Sequence, residues 1–295
     1  MKVRKFSLTN ANNTTWALTD PSFLSFGANP EGLGFAAESS YMRVGNDNLL
    51  TYSQYTMVEK SFDILFYGAS REAEYKMYND FIKFLVYEPI YLLYETPNSD
   101  TTYRMKVKVA SLGKTEISPE NSALVCPISL TPLSFWEDNL ENTIVVSNDV
   151  GTDGKHYVLN RPYYYASSDT SNIPIPCRGT LDSPLQITIT GSSTNPQYTL
   201  YDETDTAYGT GKFTGAFDSV YVNSEEADES IVLVRNGSPL SNPYNYQDLT
   251  VGSPDTIQVT FLKLRALTDS KMSLNLSSGF SGTVSITWRN RYLSV

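Results

Sequence analysis

A chain of 295 residues with 40% hydrophobic content is long enough to bury a sizeable core, and its length suggests two domains. Its 22 basic and 32 acidic residues give a formal charge of -10, and no Lys/Arg cluster stands out, which argues against a protein that grips the nucleic-acid backbone. No apolar run approaches the roughly 18 residues of a membrane span, and no apolar stretch follows the basic start, so neither membrane insertion nor a secretion signal is predicted and folding in a cytosol is expected.

The elements read in chain order as mostly strands. Phe6 and Leu8 mark an N-terminal strand, Gly32-Leu33-Gly34-Phe35 follows, and Phe62, Ile64 and Phe66 alternate as one buried face of a strand. From Ser70 to Glu88 the period changes: Tyr75, Tyr78, Phe81, Ile82 and Leu85 are spaced by three and four, which predicts an amphipathic helix. Ser70 suits its N-cap, Glu72 and Glu74 suit the positive end of its dipole, and Pro89 stops it. Strands are predicted at Tyr91 to Glu95, at Tyr103, Met105, Val107 and Val109, and at Leu124, Cys126, Ile128 and Leu130.

After Trp136 the composition turns polar, and Ser147 to Gly154 is rich in turn formers, so a domain boundary is placed there. Beyond it, short strands such as Leu185, Ile187, Ile189 and Val284, Ile286, Trp288 are separated by Gly, Pro, Asn and Ser clusters, the spacing of a β-sandwich. The fold class expected is mainly β with one α-helix, divided into a first domain over 1–145 and a sandwich over 146–284.

Groups that could carry chemistry are scarce. His156 is the one histidine, so neither a Ser-His-Asp arrangement nor a zinc site has material, and it reads as a solvated linker residue. Cys126 lies on the apolar side of its strand and Cys177 follows Pro174-Ile175-Pro176; both read as free, structural thiols. Asp202, Glu203 and Asp205 lack the order of an EF-hand loop, and with Glu225, Glu226, Asp228 and Glu229 they read as acidic hairpin tips. Gly209 to Gly215 misses the spacing of a phosphate-binding loop and reads as a glycine-rich turn. The tyrosine run at Tyr163, Tyr164 and Tyr165 could stack on a sugar, but in a strand at least one ring turns inward. No catalytic, cofactor-binding or metal-binding residue is nominated, and the chain is expected not to be an enzyme.

This order of elements, with the Gly-Leu-Gly signature, resembles the N-terminal domain of the distal tail proteins of long, non-contractile-tailed bacteriophages, the siphovirus tail component family. The ending Ile286-Thr287-Trp288-Arg289-Asn290-Arg291-Tyr292-Leu293 is similar to the family's terminal strand, which returns to the first domain; residues 285–295 would then complete it. The resemblance implies a virion protein made in the bacterial cytoplasm. It would form a homo-hexameric ring of first domains, with galectin-like second domains projecting outward. Such a ring joins the tail tube protein to the tail-associated hub protein and, in some members, to receptor-binding proteins, while DNA passes through without specific binding. The alternative reading, from a different class, is a carbohydrate-binding or adhesion module that recognises host cell-wall polysaccharide.

Overall fold

The computed structural model describes residues 4–19, 25–96, 101–115, 123–147, 163–164, 172–248, 261–277 and 280–295. They fall into two compact units, one of Met1–Asn139 with Tyr292–Val295 and one of Leu140–Arg291.

The first unit contains β1 (Lys5–Thr9), β2 (Thr15–Ala17), β3 (Ser25–Glu31), β4 (Ala36–Val44), β5 (Asp47–Thr56) and β6 (Lys60–Phe66). The helix α1 (Arg71–Leu85) comes next, then β7 (Ile90–Glu95), β8 (Thr102–Leu112), β9 (Leu124–Pro132) and β10 (Trp136–Asp138). The main sheet runs β2-β1-β7-β8-β9-β6-β3, with β10 beside β8. The alternation at Phe62, Ile64, Phe66 and at Leu124, Cys126, Ile128, Leu130 turns all seven side chains into one core.

Ser70 caps α1 by accepting from the Ala73 amide at 3.3 Å, and Glu72 and Glu74 occupy the first turn, where the helix dipole favours anions. Phe81 and Phe84 face inward and pack with Trp16 and Phe66, their ring centroids 5.1 to 6.5 Å apart. Ile82 does not join them. The sequence reading places it on the buried stripe, yet it is exposed, and Phe84, three residues after Phe81, takes the inward direction.

The second unit contains β11 (Asn142–Ser147), β12 (Tyr163–Tyr164), β13 (Ile173–Cys177), β14 (Ser183–Thr194), β15 (Gln197–Tyr201) and β16 (Ala207–Lys212). It continues with β17 (Ala216–Asn223), β18 (Ser230–Arg235), β19 (Ser238–Pro239), β20 (Lys263–Leu264), β21 (Thr268–Asn275) and β22 (Thr283–Trp288). A large sheet ordered β12-β11-β22-β14-β17-β18-β19 and a smaller one ordered β13-β21-β15-β16 share one apolar core, which holds Ile187 and Ile286 from the first and Tyr198, Leu200 and Met272 from the second. Two sheets closing on one core make this unit a β-sandwich.

The edge strand β13 pairs through Ile173, Ile175 and Cys177 while Pro174 and Pro176 take the alternate positions, so its outer edge offers no N–H at either proline. The glycine-rich stretch differs from its expected reading as a turn. Gly209 and Gly211 lie inside β16, where a Cβ would come within 2.6 Å of Leu262 and 2.4 Å of the Tyr198 ring. These glycines make room for core side chains.

The end of the chain divides between the units. Val284, Ile286 and Trp288 belong to the second core, and β22 pairs there with β11 and β14. The first unit takes only Tyr292–Val295, with β23 (Arg291–Tyr292) reaching β10, so the stretch that returns is shorter than 285–295. The division between the units falls between Asn139 and Leu140, ahead of the turn-rich segment, because Asn142–Ser147 pairs with β22. The mainly β class with a single helix matches the expectation among the described residues.

Candidate assembly surface

The nine- and ten-residue strands β4 and β5 form a hairpin of their own, outside the main sheet. Their turn is Gly45-Asn46, with Gly45 at φ +65°, which suits the first central position of a II′ turn. The register pairs Ala37 with Tyr55, Ser40 with Tyr52, Tyr41 with Leu50 and Met42 with Leu49, with a bulge between Ser40 and Tyr41. Nearly every residue of both strands is exposed and none is buried.

The hairpin is nonetheless rich in large apolar side chains. Tyr41 is 63% exposed, Val44 and Leu49 55%, Leu50 53% and Met42 52%. Cross-strand partners share a face, so Met42, Val44, Leu49 and Tyr52 line one side while Tyr41, Leu50 and Tyr55 line the other. A hairpin resting on its own domain would bury one face; this one offers both. Isolated two-stranded ribbons are marginal in water, and contiguous exposed apolar surface of this kind marks a contact with another chain.

The base of the hairpin is built tightly. Gly32 has φ +72°, and a Cβ there would lie 1.8 Å from the Glu59 carbonyl oxygen. The Lys60 ammonium is 1% exposed and donates to the carbonyls of Gly32 and Val58, the latter at 2.8 Å, so one buried cation ties together the segments that enter and leave the hairpin. Phe35 and Tyr55 meet edge to face at 5.4 Å just beyond it.

Burial lowers the Lys60 pKa from 10.5 to about 8, since the charged form loses hydration. Between those values the unfolded chain keeps a proton that the folded chain has released, so this group's contribution to stability rises with pH by about 1.4 kcal/mol per unit. Chemical denaturation of the wild type and Lys60→Met at pH 7.5 and pH 10 is expected to move their stability difference in favour of the wild type by on the order of 2 kcal/mol. A difference that stays constant with pH would contradict the buried position of the ammonium.

A second anchored point lies where the chain leaves the sandwich. The Arg291 guanidinium, 6% exposed, bridges Glu225 and Glu226, and Lys263 also pairs with Glu226. Lys263 first, then Arg291, holds the Glu226 carboxyl below its usual range. Gly179 has no room for a side chain because the Arg291 backbone passes 2.4 Å from where a Cβ would stand. Glu225 and Glu226, read from sequence as part of a solvated tip, thus bind the last strand, a pairing across 66 and 65 residues that no local pattern signals.

The other sequence candidates are not brought together. Cys126 is fully buried in the first core and Cys177 in the second. Burial pushes the Cys126 thiol up to about 11, which removes the thiolate a nucleophile needs. A thiol reagent at pH 8 is expected to leave both cysteines unmodified in the folded chain and to label both after unfolding; rapid labelling of the folded protein would contradict this.

Asp202 sits at the β15–β16 tip, where it accepts from the amides of Thr204 and Thr206 at 2.9 Å and from the Thr204 hydroxyl; these bonds hold its carboxyl below the usual range. Its carboxylate serves the turn. His156 and Tyr165 lie outside the described residues, as do the side chains of Tyr163 and Tyr164. Among the described residues no group of three His, Cys, Asp or Glu side chains is placed to hold a metal, and no helix is long and apolar enough to cross a membrane.

Residues 5–133, which hold the main sheet, its helix and the exposed hairpin, match the family model described as the distal tail protein, N-terminal domain. Over these residues the chain is similar to that family. The distal tail domain is followed by a sandwich, and the fold of the whole chain is shared with solved phage proteins. A chain from the structure of the phage P2 baseplate in its activated conformation with Ca superposes with a TM-score of 0.57 at 16% identity, covering 99% of this chain and 100% of that one. The SPP1 Dit protein, whose crystal structure is described as a paradigm of the hub adsorption apparatus in Gram-positive infecting phages, gives 0.62 at 12% identity, covering 96% and 98%. No curated protein matches the sequence. The distal tail family is a structural one of the phage tail, which places the role of this chain at the virion tail tip.

Proposed function

We propose that the chain is a non-enzymatic ring subunit, six copies of which close through their first domains at the distal end of the tail. The observation that carries this reading is the β4–β5 hairpin, an apolar arm without cover in a single chain of a distal tail fold. A ring closes through heterologous contacts, in which one patch meets a different patch on the next subunit. A projecting arm on one side and the domain surface that receives it on the other satisfy this requirement.

In this reading the ring joins the tail tube protein above to the tail-associated hub protein below. The sandwich, galectin-like in the family's manner, projects outward, where receptor-binding proteins attach. The first domain spans the first unit with the returning end of the chain, and the sandwich lies between them. A six-fold ring of chains each charged -10 repels DNA overall and lets it pass without sticking. The β8 residues Arg104, Lys106 and Lys108 share one face of the main sheet; Arg104 is paired with Glu137 at 2.7 Å. A lumen poor in Lys and Arg requires that this stripe point away from the channel.

Immunogold labelling of virions with antibody against this chain tests the placement. Label confined to the tail tip is expected; label on the capsid or along the tube would overturn it.

A further inference from the structure

The two faces of the large sheet in the second unit differ in kind. Its inner face is the apolar core. Its outer face is formed by the residues that alternate with the core positions on β11, β22, β14, β17 and β18, and the strand register lines them up in three rows across five strands. The central row runs Val145, Ser285, Thr188, Tyr221, Val232, and the rows on either side consist of Thr, Ser, Gln, Asn and Val. None of these fifteen positions, three on each strand, carries a charge; Asn223 is buried, and the other fourteen are half-buried or exposed.

A protein surface is ordinarily about 25–35% charged, so roughly four or five of fifteen positions would be Lys, Arg, Asp or Glu. The outer face of the smaller sheet follows that rule, with Lys212, Asp269 and Lys271 on it. The uncharged face is therefore a local property of one sheet of the sandwich.

The chemistry of the face narrows what it can bind. With no cation among these positions the face attracts neither phosphate polymers nor anionic lipid, and the carboxylate that neighbours Tyr221, that of Asp228, is engaged by the Asn223 amide at 3.3 Å. Protein interfaces are enriched in aromatic residues, Met and Arg and depleted in Ser. The β4–β5 hairpin carries Tyr41, Met42, Arg43, Tyr52 and Tyr55, whereas the fifteen positions are dominated by Ser and Thr with a single ring, Tyr221, among them. Each hydroxyl can both donate and accept, and the pleat repeats them at the strand separation of about 4.8 Å. Such a grid complements an extended, uncharged polymer that itself carries hydroxyls, with one aromatic face available for stacking.

We propose that the outer face of the large sheet binds an uncharged polysaccharide. The site lies on the sandwich and does not depend on ring formation by the first domain.

Affinity electrophoresis of the full chain through native gels containing dextran, mannan or galactan, with polygalacturonate and lipoteichoic acid as charged counterparts, tests the proposal. At least one uncharged polysaccharide is expected to retard the wild type. Thr188→Lys and Ser285→Glu, which place a charge at the centre of the face, are expected to weaken that retardation tenfold or more while thermal unfolding and mass by light scattering stay unchanged. Lys271→Thr, on the opposite sheet, should bind as the wild type does. No retardation in any uncharged gel, retardation only by the charged polymers, or retardation of Thr188→Lys and Ser285→Glu equal to that of the wild type would overturn it. Loss of a tail protein from virions carrying Thr188→Lys, with no polysaccharide bound by the wild type, would assign the face to a protein partner and overturn it equally.

Discussion

Replacing Tyr41 and Leu50 with serine on one face of the β4–β5 hairpin is expected to leave a folded monomer. Both side chains are more than half exposed in the single chain, so their truncation should change its unfolding free energy by no more than about 0.5 kcal/mol. In an assembly the same side chains would be covered, and burying each contributes about 1.5–3 kcal/mol. Losing both at one contact weakens it by roughly 3–6 kcal/mol, a factor of about 10² to 10⁴ in dissociation constant. Light scattering should then report one chain mass, 32.9 kDa, where the wild type reports six. Variants that assemble as the wild type does would remove the hairpin from the interface.

Gly32→Ala and Gly34→Ala should behave very differently, although the two glycines stand two residues apart in one Gly-Leu-Gly signature. At Gly32 the backbone is left-handed, which L side chains rarely adopt, and the added methyl would overlap the Glu59 carbonyl at 1.8 Å. Relief requires moving the Val58–Lys60 segment, which breaks the pair of bonds from the Lys60 ammonium and releases the base of the arm. The expected cost is about 3 kcal/mol or more in stability, combined with loss of assembly. A Cβ at Gly34 meets nothing within 4 Å, so Gly34→Ala should be close to neutral. Denaturant titration of the two variants checks both statements, and equal costs would contradict this account of the signature.

Much of the fold is legible in the sequence because it rests on local periodicity. The period-two runs at Phe62 to Phe66 and Val284 to Trp288 and the capped helix from Ser70 each encode their buried face directly. The arm is not legible in that way. Alternation reveals a strand only when one face is wet and the other dry, and β4 and β5 carry apolar and polar residues on both faces, neither of which is buried in the single chain. The one local signal is Gly45-Asn46 between two runs rich in Ser, Thr and Tyr, which fits a two-residue hairpin turn.

The interior glycines of β16 look like turn residues in sequence, because nothing in the string shows that Tyr198 and Leu262 occupy the space a side chain would need. The clasp of Arg291 by Glu225 and Glu226 and the seat of Lys60 are likewise tertiary, built from residues whose charges alone predict a solvated surface. The uncharged outer face emerges only when the register of five strands is laid side by side.

Copies of this chain are proposed to join through the exposed arm into a closed ring. Negative-stain electron microscopy of the purified full chain tests it most directly. Closed particles with six-fold symmetry and a central opening are the expected result, and their absence from the Tyr41→Ser, Leu50→Ser variant should accompany it. Single chains at high concentration, or open filaments in place of closed rings, would contradict the claim.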